Sequence, residues 1–78
     1  MRTQTTLLDT NVVTTLIVNG EPNKIAAKTL AEALRALDYA DAIVATALNG
    51  EFVPVRKREA TSVKEGDRIE IVAPRQGG

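Results

Sequence analysis

Two Asn-Gly dipeptides, Asn19-Gly20 and Asn49-Gly50, frame this chain. Asparagine followed by glycine is the pair that best accepts positive φ at both centres of the two-residue turn that closes a tight hairpin. Val12 to Val18 is rich in β-branched residues and reads as a strand leading into the first turn. Glu21 to Ile25 returns from it, and Pro22 marks that strand as an edge because it lacks a ladder donor. Ala42 to Leu48 is a continuous apolar run interrupted only by Thr46, and its length and β-branched content predict a buried central strand. It leads into the second turn, Glu51-Phe52-Val53 returns, and Pro54 ends the strand or marks another edge.

One helix lies between the hairpins. Thr29 and Glu32 have the spacing of a capping box, in which each side chain satisfies a free backbone N–H. Leu30, Ala33, Leu34 and Leu37 form an apolar stripe at i, i+3, i+4 and i+7, with the end of the helix expected between Asp38 and Ala40. Val55 to Thr61 reads as a solvated surface segment whose cluster Arg56-Lys57-Arg58 could also face an acidic partner. Val63 to Asp67 reads as a turn, with Gly66 supplying a positive φ. Arg68-Ile69-Glu70-Ile71-Val72 then alternates as a half-buried strand.

A single amphipathic helix has to bury its stripe on one face of the sheet. The first and last strands can lie side by side in the middle only if they run parallel, with the helix in the crossover between the two halves. The expected fold is therefore α+β, a β-grasp (ubiquitin-like) arrangement with a mixed sheet of four to five strands packed on one helix. The expected division is a leader over 1–11 that need not be ordered, a β-grasp domain over 12–73 and a flexible tail over 74–78.

Composition narrows the function. The 78 residues contain neither cysteine nor histidine, so a thiolate metal site, the commonest metal ligand and the usual general base are all missing. Ten basic residues balance ten acidic ones, which gives no global field for nucleic acid or anionic lipid. Tyr39 and Phe52 are the whole aromatic set, too few for a base-stacking platform. No apolar run is long enough for a signal peptide or a spanning helix. These features lead us to expect a cytoplasmic protein with no catalytic side chain, no metal, no bound cofactor, and no nucleic-acid or membrane partner.

The last residues are Ala73-Pro74-Arg75-Gln76-Gly77-Gly78. Pro74 stops the strand and stiffens the base of the tail. Gln76, Gly77 and Gly78 then present a free α-carboxylate on a backbone without Cβ atoms, able to enter a narrow channel. Six extended residues span at most about 20 Å, enough to reach into a partner's active site. Strand alternation sets Val72 apart from Ile69 and Ile71, so Val72 is a candidate for an exposed apolar patch at the root of the tail. Phe52 is a second docking candidate and equally a candidate core residue.

From Leu16 to Gly78 the chain resembles the ThiS family of ubiquitin-like sulfur carriers. The matching pieces are Val18-Asn19-Gly20-Glu21, Ala47-Leu48-Asn49-Gly50-Glu51-Phe52-Val53-Pro54, Gly66-Asp67-Arg68-Ile69-Glu70-Ile71-Val72 and Gln76-Gly77-Gly78. It departs from the family at Val55, where arginine is common, at Arg58, where an aromatic is frequent, and at Arg75, where an apolar residue is usual. The resemblance implies that a ThiF-like adenylyltransferase, using ATP and Mg, joins Gly78 to AMP. Sulfur from a persulfide donor then converts the end to a thiocarboxylate, which a thiazole synthase (ThiG-like) consumes in making the thiamine thiazole. Alternatives are a MoaD-like small subunit of molybdopterin synthase, a ubiquitin-like modifier joined to lysine through Gly78, and a plain β-grasp binding module.

Overall fold

A computed structural model describes residues 13–74. The expected leader over 1–11 and Arg75 to Gly78 of the expected tail lie outside the described residues. The described residues form five strands: β1 (Thr14–Val18), β2 (Glu21–Ile25), β3 (Ala45–Leu48), β4 (Glu51–Val53) and β5 (Arg68–Val72). They form one mixed sheet in the order β2-β1-β5-β3-β4. Helix α1 (Leu30–Ala36) lies in the crossover, and a 3-10 helix (Val55–Ala60) follows β4. This is the β-grasp.

Both hairpins close as the dipeptides require. Asn19 and Gly20 have φ of 50° and 88°, and Asn49 and Gly50 have 51° and 89°. The flanking pairs are Val18↔Glu21 and Leu48↔Glu51, so each loop is two residues long. The last strand enters between the hairpins. β5 runs parallel to β1 through Ile17↔Arg68 and Val18↔Ile69, and antiparallel to β3 from Ala45↔Val72 to Leu48↔Ile69. Pro22 sits on β2 at the sheet edge, where its missing N–H removes no ladder bond from a central strand.

Inward residues alternate along each strand. Leu16, Val18, Ile25, Val53, Ile69 and Ile71 join Leu30, Ala33 and Leu34 of α1 in one core, with Ala27, Val44 and Val63 closing its ends. Leu16, Leu30 and Ile69 have no exposed surface, so the middle of the core is where β1, β5 and α1 meet.

The helix is shorter than the sequence predicts. It starts at Thr29, whose hydroxyl accepts the Glu32 N–H at 3.1 Å. Glu32 reaches one residue further back than a standard box, with Oε1 accepting the Lys28 N–H at 2.7 Å. It stops at Ala36 rather than between Asp38 and Ala40. Asp38 takes the left-handed conformation at φ 71°. Its N–H bonds to the Arg35 carbonyl and the Tyr39 N–H to the Leu34 carbonyl, the paired bonds of a Schellman motif. Leu37 is thus a cap residue packed against the core edge.

The strand expected over Ala42 to Leu48 is also corrected. Only Ala45–Leu48 is strand, and the run alternates instead of being buried on both faces. Val44 and Thr46 are buried while Ile43 is 80% exposed, because α1 covers a single face of the sheet. Thr46 satisfies its buried hydroxyl by donating to the Val53 carbonyl at 3.0 Å.

The left-handed cap yields a stability test. An L-residue with a Cβ is strained there by about 1–2 kcal/mol, partly offset by the greater unfolded-state freedom of glycine. Asp38→Gly is therefore expected to stabilise the protein by roughly 0.5 kcal/mol. Urea unfolding at constant m-value measures this, and a fall in stability would contradict the assigned cap.

Candidate functional site: the root of the C-terminal tail

The tail leaves from the end of β5, and β5 is central rather than an edge. Its even-numbered backbone groups face β3 and its odd-numbered groups face β1. The pairs Glu70↔Ala47 and Val72↔Ala45 carry the first set to the end of the strand. On the other side β1 stops at Val18. There the Ile17 N–H donates to the Asp67 carbonyl and the Asn19 N–H to the Ile69 carbonyl, both at 2.9 Å. The Asn19 side chain then takes over. Its Oδ1 accepts the Ile71 N–H at 2.8 Å, and its Nδ2 donates to the Ile71 carbonyl at 3.2 Å.

Asn49 does the same at the start of β5. Its N–H donates to the Arg68 carbonyl at 2.7 Å and its Oδ1 accepts the Arg68 N–H at 2.8 Å. Its Nδ2 donates to Asp67 Oδ1 at 3.1 Å, while Asp67 Oδ2 accepts the Lys64 N–H at 2.9 Å. The turn before β5 is thereby fixed to the second hairpin, with Gly66 at φ 85°.

The sheet face away from α1 holds both docking candidates. Phe52 is 69% exposed and Val72 is 62% exposed. Phe52 lies opposite Ala47, and Val72 opposite Ala45. The two side chains stand on β4 and β5 with β3 between them, two strand spacings across and two residues along, about 12 Å apart. Ala45 and Ala47 form a low floor between them. The sequence left Phe52 open between core and dock, and β4 points it to the free face because Val53 takes the inward position. Ile43 is exposed two residues ahead of Ala45 and was not foreseen. The period-two alternation of Ile43, Ala45 and Ala47 against Val44, Thr46 and Leu48 carried the signal, hidden by the uniformly apolar composition.

The charged run over Val55 to Thr61 is not a plain solvated segment. It forms the 3-10 helix, and its cations divide. Arg56 and Lys57 are exposed. Arg58 turns inward, donating from Nη2 to the Val44 carbonyl at 2.7 Å and from Nε to Thr46 Oγ1 at 3.2 Å. It pins the 3-10 helix to the entry of β3 and leaves the proposed three-cation cluster with two free members. A shallow cleft beside it is walled by Leu34, Tyr39, Val55 and Arg58. Arg35 and Glu59 approach to 3.9 Å at its rim, but both are largely exposed and the pair contributes at most about 1 kcal/mol. Among the described residues no three His, Cys, Asp or Glu side chains gather where they could hold a metal. No helix among them is long and apolar enough to cross a membrane.

The ThiS family matches residues 16–78, which takes in β1 from Leu16 onward, β2 to β5 and the tail. The chain belongs to the ThiS family of sulfur carriers. A solved structure of the thiamine biosynthesis protein ThiS from Geobacter metallireducens is 38% identical, with a TM-score of 0.69. The match covers 82% of this chain and 99% of the Geobacter chain. No curated protein matches the chain. The β-grasp described above is thus the ThiS fold, and family membership places the protein in thiamine biosynthesis. Gly78, Gly77 and Gln76, the residues expected to carry the chemistry, lie outside the described residues, while the strand that presents them is described in full.

Arg58 and Lys57 separate structural from exposed charge. Arg58→Ala leaves the Val44 carbonyl without its partner and is expected to cost about 1–3 kcal/mol. Lys57→Ala is expected to stay within about 0.5 kcal/mol of the parent. Denaturant midpoints of the two variants check the contrast.

Proposed function

We propose that this protein carries sulfur on its C-terminus for assembly of the thiamine thiazole ring. The observation that carries the reading is the ThiS match over residues 16–78, ending on Gly78. A carboxylate is a poor electrophile. A ThiF-like adenylyltransferase would supply ATP and Mg, a Gly78 oxygen would attack the α-phosphorus, and pyrophosphate would leave. The acyl adenylate accepts a persulfide sulfur at the carbonyl carbon with loss of AMP. A thiol then cleaves the resulting S–S bond, leaving a thiocarboxylate on Gly78 and a disulfide on the donor side. A ThiG-like thiazole synthase takes that sulfur. The cytoplasm, with its ATP and reduced thiols, suits these steps.

In this scheme the protein is a substrate and no side chain of its own does chemistry. Gly77 and Gly78 let enzyme groups approach the terminal carbonyl, and Gln76 offers the last side chain before it. The chain contains no cysteine, so no internal thiol competes for the activated end. Val72 and Phe52, with Ile43, supply an apolar face beside the point of departure, where a partner can gain affinity while the tail reaches its active site. Both comparisons carry ThiS, which favours this pathway over the small subunit of molybdopterin synthase.

Incubation with the host adenylyltransferase, ATP and a persulfide donor should shift the intact mass by the replacement of one oxygen with sulfur. The shift should vanish when Gly78 is deleted. An unchanged mass with a demonstrably active enzyme would end the carrier reading. For the docking face, Phe52→Ser with Val72→Ser should leave stability within about 1 kcal/mol, since both side chains are exposed. The same pair should raise the KM for adenylation about tenfold, as loss of a central apolar contact does.

A further inference from the structure

We propose that Asn19 is a positioning residue for the tail: its side-chain amide forms the last rung beside β5 and fixes where the chain departs toward Gly78. The inference rests on the reading of Gly78 as the reacting end. It goes further by assigning a role to a residue in the opposite hairpin, distant in sequence and without contact to the chemistry.

The geometry comes from the parallel ladder. The donors Ile17 and Asn19 bond the carbonyls of Asp67 and Ile69 in turn. If β1 continued, the Asn19 carbonyl would accept the Ile71 N–H, and the N–H of the residue at 21 would donate to the Ile71 carbonyl. The turn at φ 50° swings the chain away before either bond can form. The Asn19 amide replaces both, Oδ1 standing for the lost carbonyl and Nδ2 for the lost N–H. A carboxamide has the atoms of one peptide group, so it can extend a strand edge by one step. Ile71 presents one donor and one acceptor, which also fixes the orientation of the amide.

Position makes this rung matter. Among the described residues, Asn19 is the last group bonded to the β1-facing edge of β5. Without it, that edge would be held only as far as Ile69, and the end of the strand would hang from β3 alone. Asn49 provides a matched comparison. It is the same residue type at the same position of the other hairpin turn, also makes two side-chain bonds, and acts at the other end of β5. A partner that binds the tail root needs Ile71, Val72 and Ala73 already extended, and loosening them adds an ordering cost to binding. It does not alter the reacting carbonyl once the tail is bound.

The test compares Asn19→Gly, Asn19→Asp and Asn49→Gly in the full chain. Glycine keeps the positive φ, and aspartate keeps the acceptor for the Ile71 N–H but loses the donor. Adenylation by the host adenylyltransferase gives KM and kcat for the carrier, and amide exchange followed by NMR reads Ile71 directly. Asn19→Gly should raise KM about fivefold to tenfold with kcat unchanged, and speed exchange at Ile71 while leaving Ile69 protected. Asn19→Asp should fall between it and the parent in KM and retain protection at Ile71. Asn49→Gly should lower global stability yet leave KM within about twofold, which separates positioning from stability. Equal KM for Asn19→Gly and the parent would overturn the proposal, as would equal rises in Asn19→Gly and Asn49→Gly. If the parent itself is not adenylated, the carrier reading fails and this proposal with it; if only the Asn19 contrast fails, the carrier reading stands.

Discussion

The structure depends on one long-range insertion: the last strand enters the middle of the sheet. Each hairpin is local and closes on its own turn, but a two-stranded hairpin is marginal in water. Neither half has a complete core without the other. β5 joins them by pairing parallel with β1 and antiparallel with β3, and it brings Ile69 and Ile71 under α1. The parallel pair obliges the chain to cross over between β1 and β5, and the helix occupies that crossover. The strand that completes the fold is therefore also the strand that carries the tail.

That coincidence lets a small core hold the strand that leads toward the C-terminus from both sides. A chain of this length buries only about 60% of its unfolded surface, so no region has stability to spare. Placing the tail-bearing strand at the sheet edge would leave its final residues held on one side. In the centre it is held on both, by β3 to Val72 and by β1 with Asn19 to Ile71. Both asparagines serve twice in this scheme. Their backbones accept the left-handed turn, and their side chains restore the ladder bonds that the turn removes. Asp67 extends the same logic into the turn before β5, linking Asn49 to Lys64 through its two oxygens.

Much of this was legible in the residues. The Asn-Gly pairs fixed the hairpins because few residues accept positive φ, and the alternation in Arg68 to Val72 fixed which face was buried. Parallel pairing followed from connectivity alone. What escaped was tertiary. The helix end depended on Asp38 adopting a left-handed cap in place of glycine, which no composition rule singles out. Ala42 to Leu48 looked buried on both faces because alanine and isoleucine score as apolar wherever they point. Arg58 looked like a surface charge until the 3-10 helix aimed it at the Val44 carbonyl. The second role of Asn19 was invisible because its partner, Ile71, lies at the far end of the sequence. At the root of the tail the residues named Val72 as exposed and left Phe52 open between core and dock, and only the sheet register showed that the two share a face across Ala45 and Ala47.

The division of labour that results is physical. Affinity and chemistry make opposed demands on a carrier. A docking surface should be rigid, so that little is lost in ordering it, whereas a reactive end must fit more than one active site in turn. On the function proposed above, the boundary between the two would fall close to the end of β5. Val72 is still paired with Ala45, and Ile71 is still held by Asn19. Pro74 follows with no N–H to offer a ladder, so pairing cannot spread further down the chain through that residue. The paired part of the strand thus ends at Val72, two residues before the proline. Of the residues that follow, the two glycines impose little backbone preference of their own.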